Sequence, residues 1–124
     1  MPDYHLVIAD GGFKNNLAYG SFKIYNDRGL TVGQKQFIIG LGTNNRAEYI
    51  ALLNALSWCL ENDVTQVVVM MDSKLIINQV KKIWRCRDKK LVSLRDQIWA
   101  LMGKFEYFEL TYTPGKYIKQ KLGH

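Results

Sequence analysis

Acidic residues stop at Glu109, cysteine occurs only twice, and no apolar run approaches the roughly 18 residues that cross a bilayer. The last absence argues against a membrane-spanning helix. The amino terminus, Met1-Pro2-Asp3-Tyr4-His5, has no basic segment ahead of an apolar one, so no secretory signal is expected and the expected location is intracellular, in the cytoplasm. Cys59 and Cys86 belong to no Cys-x-x-Cys or Cys/His spacing, so neither a metal-binding nor a catalytic thiol is indicated, and two reduced thiols are expected. No internal repeat, low-complexity segment or linker interrupts the 124 residues. Residues 1–124 are therefore expected to form one domain, as a monomer, large enough to bury a real core.

What is present begins with charge. The net charge is +6 and the pI about 9.4, which implies an acidic partner more than it implies any fold. From Lys74 to Arg95 there are eight basic residues (Lys74, Lys81, Lys82, Arg85, Arg87, Lys89, Lys90, Arg95) against one acid, Asp88. The tail adds Lys116, Lys119 and Lys121. Tyr, Trp and Asn interspersed among these charges favour nucleic acid over a merely solvated surface.

Residues His5 to Ala9 form a short unbroken apolar run, expected as a central strand covered on both faces, with Asp10-Gly11-Gly12 where it emerges. Phe13 to Leu17 reads as a polar turn, Ala18 to Tyr25 as a second strand, Asn26 to Gly29 as a hairpin turn, and Leu30 to Ile39 as a third strand. A helix capped by Thr43 or Asn44 runs to about Leu60, because Tyr49, Leu52, Leu53, Leu56 and Leu60 recur at helical spacing. Gln66 to Met71 repeats the pattern of the first strand and ends at Asp72-Ser73. A second helix follows with Leu75, Ile76, Gln79, Val80 and Ile83 on one side, then a basic junction from Trp84 to Lys90. A third helix ends near Gly103, Phe105 to Tyr112 is a fifth strand, and Lys116 to His124 forms a short helix with Ile118 and Leu122 inward.

Glu48 stands out. At about 100° per residue, Leu52, Ala55 and Cys59 lie within roughly 40° of its direction, so this carboxylate heads the stripe that turns to the core. Ala51 and Leu52 occupy the positions from which a base could answer it. It reads either as a first-turn glutamate wet at the helix end or as a group needing a partner from elsewhere. A strand, a crossover helix and a second two-face-buried strand imply parallel pairing, which brings Asp10 and Asp72 to one edge of the sheet. Two such carboxylates repel unless a proton or a cation intervenes.

Three antiparallel strands, a helix, a parallel strand, further helices and a fifth strand, with Asp10-Gly11-Gly12, Thr43-Asn44-Asn45-Arg46-Ala47-Glu48 and Val69-Met70-Met71-Asp72-Ser73 in that order, resemble ribonuclease H of type 1. The resemblance implies an α/β, ribonuclease H-like fold: a five-stranded mixed sheet of order 3-2-1-4-5 flanked by helices. It implies cleavage of the RNA strand of RNA/DNA hybrids with two Mg²⁺ or Mn²⁺ ions about 4 Å apart. Asp10 would bridge the ions, and Glu48 and Asp72 would complete the separate sites. By the same resemblance, Gly11 and Gly12 would border the nucleic acid. Asn15 or Asn16, with Asn44, Asn45 and Asn78, would read 2′-hydroxyls in the minor groove, while Thr43 would hold a phosphate of the DNA strand. Ser73 and Lys74 would follow the backbone, although the family commonly has glutamine where Lys74 stands. Lys81, Lys82, Trp84, Arg85 and Arg87 resemble a shortened basic protrusion that grips the DNA strand.

The carboxyl end departs from that pattern. Most of the family carries a fourth acid beyond the fifth strand, near the position of Leu122, and this chain has none. His124 could serve as a neutral ligand, favouring Mn²⁺, could help product leave, or could be a terminal residue of no consequence. Two other functions stay open: a module of this fold that binds nucleic acid without cutting it, and a related DNA nuclease.

Overall fold

The computed structural model describes residues 4–123. Five strands, β1 (His5–Lys14), β2 (Leu17–Tyr25), β3 (Thr31–Gly40), β4 (Gln66–Met71) and β5 (Tyr107–Tyr112), form one sheet in the order β3-β2-β1-β4-β5. The helices are α1 (Asn44–Glu61), α2 (Lys74–Val80), α3 (Lys89–Met102) and α4 (Gly115–Leu122). The first three strands are antiparallel, whereas β4 joins β1 and β5 joins β4 in parallel. This is the mixed 3-2-1-4-5 sheet that the family resemblance implies.

The first hairpin is tighter than expected. Its turn consists of Asn15 and Asn16 alone, at φ 54° and 64°, the left-handed conformation that asparagine tolerates and a two-residue hairpin demands. The register follows from that turn, with Lys14 opposite Leu17, Gly12 opposite Tyr19 and Asp10 opposite Ser21. Asp10 is therefore inside its strand and not at its exit. What ends just before it is the pairing on the other side, since the parallel ladder with β4 stops at Ile8 and Met70. Beyond that point β1 pairs within the sheet with β2 only, and the ladder between β1 and β4 is open.

Strand alternation sorts the two faces of the sheet. Val7, Ala9, Val67, Val69 and Met71 face α1 and α3 and are buried with Tyr49, Leu52, Ala55, Leu56, Cys59 and Ile98. Ile8 and Ile118, both fully buried, lie outside that cluster, which places α4 across the opposite face. Among the described residues no helix is long and apolar enough to cross a membrane.

The second helix stops earlier than the apolar pattern implies. Ile83, expected inward, is 65% exposed. The backbone N–H of Ile83 bonds Asn78 O at 2.8 Å and that of Lys82 bonds Gln79 O at 3.1 Å, with Lys82 at φ 66°. These paired bonds around a left-handed residue close the helix at Val80 and turn the chain outward. The turn is pinned from below: Tyr49 Oη donates to Gln79 Oε1 at 2.7 Å, Gln79 Nε2 to Arg85 O at 3.3 Å, and Trp99 Nε1 to Val80 O at 2.9 Å. The basic segment thus projects from a buried hydrogen-bonded base.

Candidate active site

One oxygen each from Asp10, Glu48 and Asp72 lies within 4.8 Å of the other two, where the ladder between β1 and β4 is open. Asp10 comes from the interior of β1 and is 3% exposed. Asp72 is the first residue past β4, and the hydroxyl of the following Ser73 caps α2 by accepting the Ile76 N–H at 3.2 Å. Thr43 caps α1 in the same way at 3.2 Å, so Glu48 stands in the second turn of that helix rather than the first. The wet first-turn reading of Glu48 is thereby corrected. Gly11 brings α1 close: a Cβ there would meet the Ala47 carbonyl carbon and the Glu48 amide nitrogen, each at 2.5 Å. Gly115 plays the corresponding part for Asp72, since a Cβ there would meet Asp72 Oδ2 at 2.5 Å.

Crowding three carboxylates has an electrostatic cost. Burial, then the charges of Asp72 and Asp10, push the Glu48 carboxyl up to about 7, against a hydrogen bond from Ser73 that favours its charged form. A proton at Glu48 is one remedy; a cation shared by the three groups is the other. The donors are all hard oxygens, close enough for joint ligation, which fits a hard divalent cation.

The carboxylates sit in an open cleft of about 360 Å³. Among the expected nucleic-acid residues, Gly11, Gly12 and Asn44 line it directly. Asn45 is half-buried beside them, and Thr43 is exposed at the helix end. Asn15 and Asn16 form the hairpin tip outside the lining. Ser73 is buried and bonded to Glu48 and to the α2 backbone, a different task from the surface contact expected of it. Asn78 Nδ2 donates to Lys74 O at 2.8 Å, and the Lys74 ammonium lies 5.1 Å from the Tyr112 ring. Lys81, Lys82, Trp84, Arg85 and Arg87 are exposed together on the segment after α2, with Lys82 4.9 Å over the Trp99 ring. His124 lies outside the described residues.

Three residues line the cleft that were not among the site residues expected from the sequence: Phe13, Tyr19 and Lys119. Tyr19 packs against Gly12, and burial followed by the charge of Asp10 raises its phenol above the ordinary value. A two-residue turn at Asn15-Asn16 would have placed it there by counting. Lys119 enters from α4, one turn beyond Gly115 on the same face.

Comparison with known proteins agrees with this architecture. A family model described as reverse transcriptase-like matches residues 9–119. The ribonuclease HI of Halobacterium salinarum is 30% identical over 108 residues, 85% of this chain and 54% of that protein. The crystal structure of ribonuclease H1 from the same archaeon superposes with a TM-score of 0.89 at 25% identity, over 94% of this chain and 89% of that one. The chain belongs to the type 1 ribonuclease H family. Another relative, a bifunctional protein of Mycobacterium tuberculosis, is 30% identical over 112 residues, which are 88% of this chain and 31% of that protein. The ribonuclease H chain described here thus spans about a third of the one relative and half of the other. LC11 ribonuclease H1, solved in complex with an RNA/DNA hybrid, superposes with a TM-score of 0.83 at 26% identity, over 94% of this chain and 89% of that one.

Proposed function

We propose that this chain is an endoribonuclease that hydrolyses the RNA strand of RNA/DNA hybrids inside the cell, with two divalent cations, Mg²⁺ or Mn²⁺, in its site. The observation that carries the reading is the meeting of Asp10, Glu48 and Asp72 within 4.8 Å. The hybrid bound in the LC11 structure supports the choice of substrate. Asp10, Glu48 and Asp72 are the residues that would hold the cations. Bound there, the cations supply a nucleophilic water and a stabilised leaving oxygen.

The chain's own groups do the remaining work. The Glu48 carboxyl, pushed up to about 7 by burial and by the charges of Asp72 and Asp10, would have to be ionised to hold a cation. Asn44 and Asn45, at the exposed start of α1, offer amides to the 2′-hydroxyl, the group that separates RNA from DNA. The Thr43 hydroxyl and the free N–H groups of that helix end suit a phosphate of the DNA strand. Lys81, Arg85 and Trp84 grip the same strand by charge and stacking.

The test is cleavage of a labelled hybrid with Mg²⁺ and with Mn²⁺, abolished by Asp10→Asn. Equal rates on hybrid and duplex DNA would move the reading to a DNA nuclease. Binding without cleavage in both ions would leave a binding module, for which the lack of acid beyond Glu109 is the motive. His124→Ala and His124→Asp in the same assay decide whether the terminal imidazole belongs to the site.

A further inference from the structure

The wall of the carboxylate cleft formed by α4 carries a base. Lys119 is the one basic side chain lining the cleft among the described residues. Its backbone position is fixed from both sides in sequence: Ile118 is fully buried beneath α4, and Gly115, one turn earlier on the same face, abuts Asp72. Lys121 stands beside the Tyr117 ring at 5.6 Å and Lys74 beside the Tyr112 ring at 5.1 Å. Lys119 has neither a ring contact nor an ion pair among the described residues. It is exposed and lines the cleft together with Asp10, Glu48 and Asp72.

An exposed ammonium lining an acidic cleft, in no ion pair with the acids among the described residues, is placed for an anion that arrives with the substrate. We infer that Lys119 is a substrate-contacting residue, whose ammonium binds a phosphate oxygen of the nucleic-acid strand lying over Asp10, Glu48 and Asp72. A lysine suits the task, because its flexible stem lets a point charge follow a phosphate. The inference rests on the proposed nuclease reading and adds to it a phosphate contact on the side of the cleft opposite α1.

The test is the salt dependence of binding to a fluorescein-labelled RNA/DNA hybrid, read by anisotropy in the Asp10→Asn background so that nothing is cleaved. One phosphate contact contributes about 0.9 to the salt slope, so over a fourfold rise in salt Asp10→Asn should lose about three- to fourfold more affinity than Asp10→Asn/Lys119→Met. Lys119→Arg should keep the parent slope, and Lys104→Met, which removes an exposed charge outside the cleft, should keep it too. Equal slopes for the parent and Lys119→Met overturn the inference, as does an equal loss in Lys104→Met. Calorimetry with Mn²⁺ alone supplies a second reading: tighter metal binding by Lys119→Met with an unchanged hybrid slope would make Lys119 a charge acting on the cations instead. If the Asp10→Asn protein binds no hybrid, the nuclease reading falls together with this one. If it binds and only the slope prediction fails, this inference falls alone.

Discussion

Gly11 and Glu48 are in backbone contact: a Cβ on Gly11 would stand 2.5 Å from the Glu48 amide nitrogen. The strand that carries one carboxylate and the helix that carries another are registered against each other by a missing side chain. The obstructing atoms belong to the helix backbone and cannot swing aside. Gly11→Ala should therefore push α1 from β1, at about 1–3 kcal/mol in stability, and should weaken divalent-cation binding as well. Urea unfolding measures the first effect and Mn²⁺ calorimetry on the folded variant the second. A variant with parent-like metal affinity would show that the contact does not position Glu48.

Gly115 makes a contrasting contact, because the atom it crowds, Asp72 Oδ2, is the end of a side chain that can rotate away. Gly115→Ala should leave stability within about 0.5 kcal/mol of the parent, the helix preference of alanine offsetting the displacement. The displaced carboxylate should cost roughly 10- to 100-fold in metal affinity, the range for losing the support of a ligand. Thermal melts without metal, set beside Mn²⁺ calorimetry, separate the two effects. An unchanged affinity would mean that Asp72 finds its place without α4.

The three carboxylates were legible in the sequence for a physical reason. His5–Ala9 and Gln66–Met71 are both unbroken apolar runs, and each leads into an aspartate, so parallel pairing alone brings Asp10 and Asp72 together. Glu48 was legible from the stripe it heads, and Leu52, Ala55 and Cys59 are indeed fully buried. Tyr19 was hidden because Phe13 to Leu17 looks like loop chemistry, whereas Phe13, Lys14 and Leu17 are strand and only two asparagines turn. The end of α2 was hidden because Lys82 occupies the left-handed position where glycine usually marks a helix stop. Lys119 was legible only as part of the basic tail, because nothing in its spacing says that α4 brings it to the carboxylates; among the described residues it is the one basic side chain lining the cleft.

Glu48 gives the metal-free protein a distinctive pH dependence. Its carboxyl rises from an ordinary 4.5 to about 7 on folding, so between those values the folded chain holds a proton that the unfolded chain releases. The resulting stability is complete below pH 4.5 and is lost as pH rises toward 7. Glu48→Gln, which cannot ionise, should escape that loss and melt higher than the parent above pH 7, by about 1 kcal/mol once partial exposure is allowed for. Hybrid cleavage by the same variant should fall to background. Melts in EDTA across pH 4 to 8 check the sign, and a parent whose Glu48-dependent stability grew with pH would contradict the crowding of the three acids.

Lys82 joins stability to nucleic-acid binding through opposing effects. Its φ of 66° strains a residue with a Cβ by about 1 kcal/mol, which glycine would relieve. Its ammonium also lies 4.9 Å over the Trp99 ring, a contact worth about 0.5 kcal/mol at an exposed site. Lys82→Gly should thus raise the urea midpoint slightly, because the strain outweighs the contact. Lys82→Ala keeps the strain and loses the contact, and should lower the midpoint. Both remove one charge from the exposed basic segment, so both should lower the salt slope of hybrid binding by about 0.9 if Lys82 touches a phosphate. Opposite shifts in stability with equal shifts in slope would assign the backbone turn and the charge to separate roles; a shared direction in stability would mean that the left-handed conformation at Lys82 carries no strain.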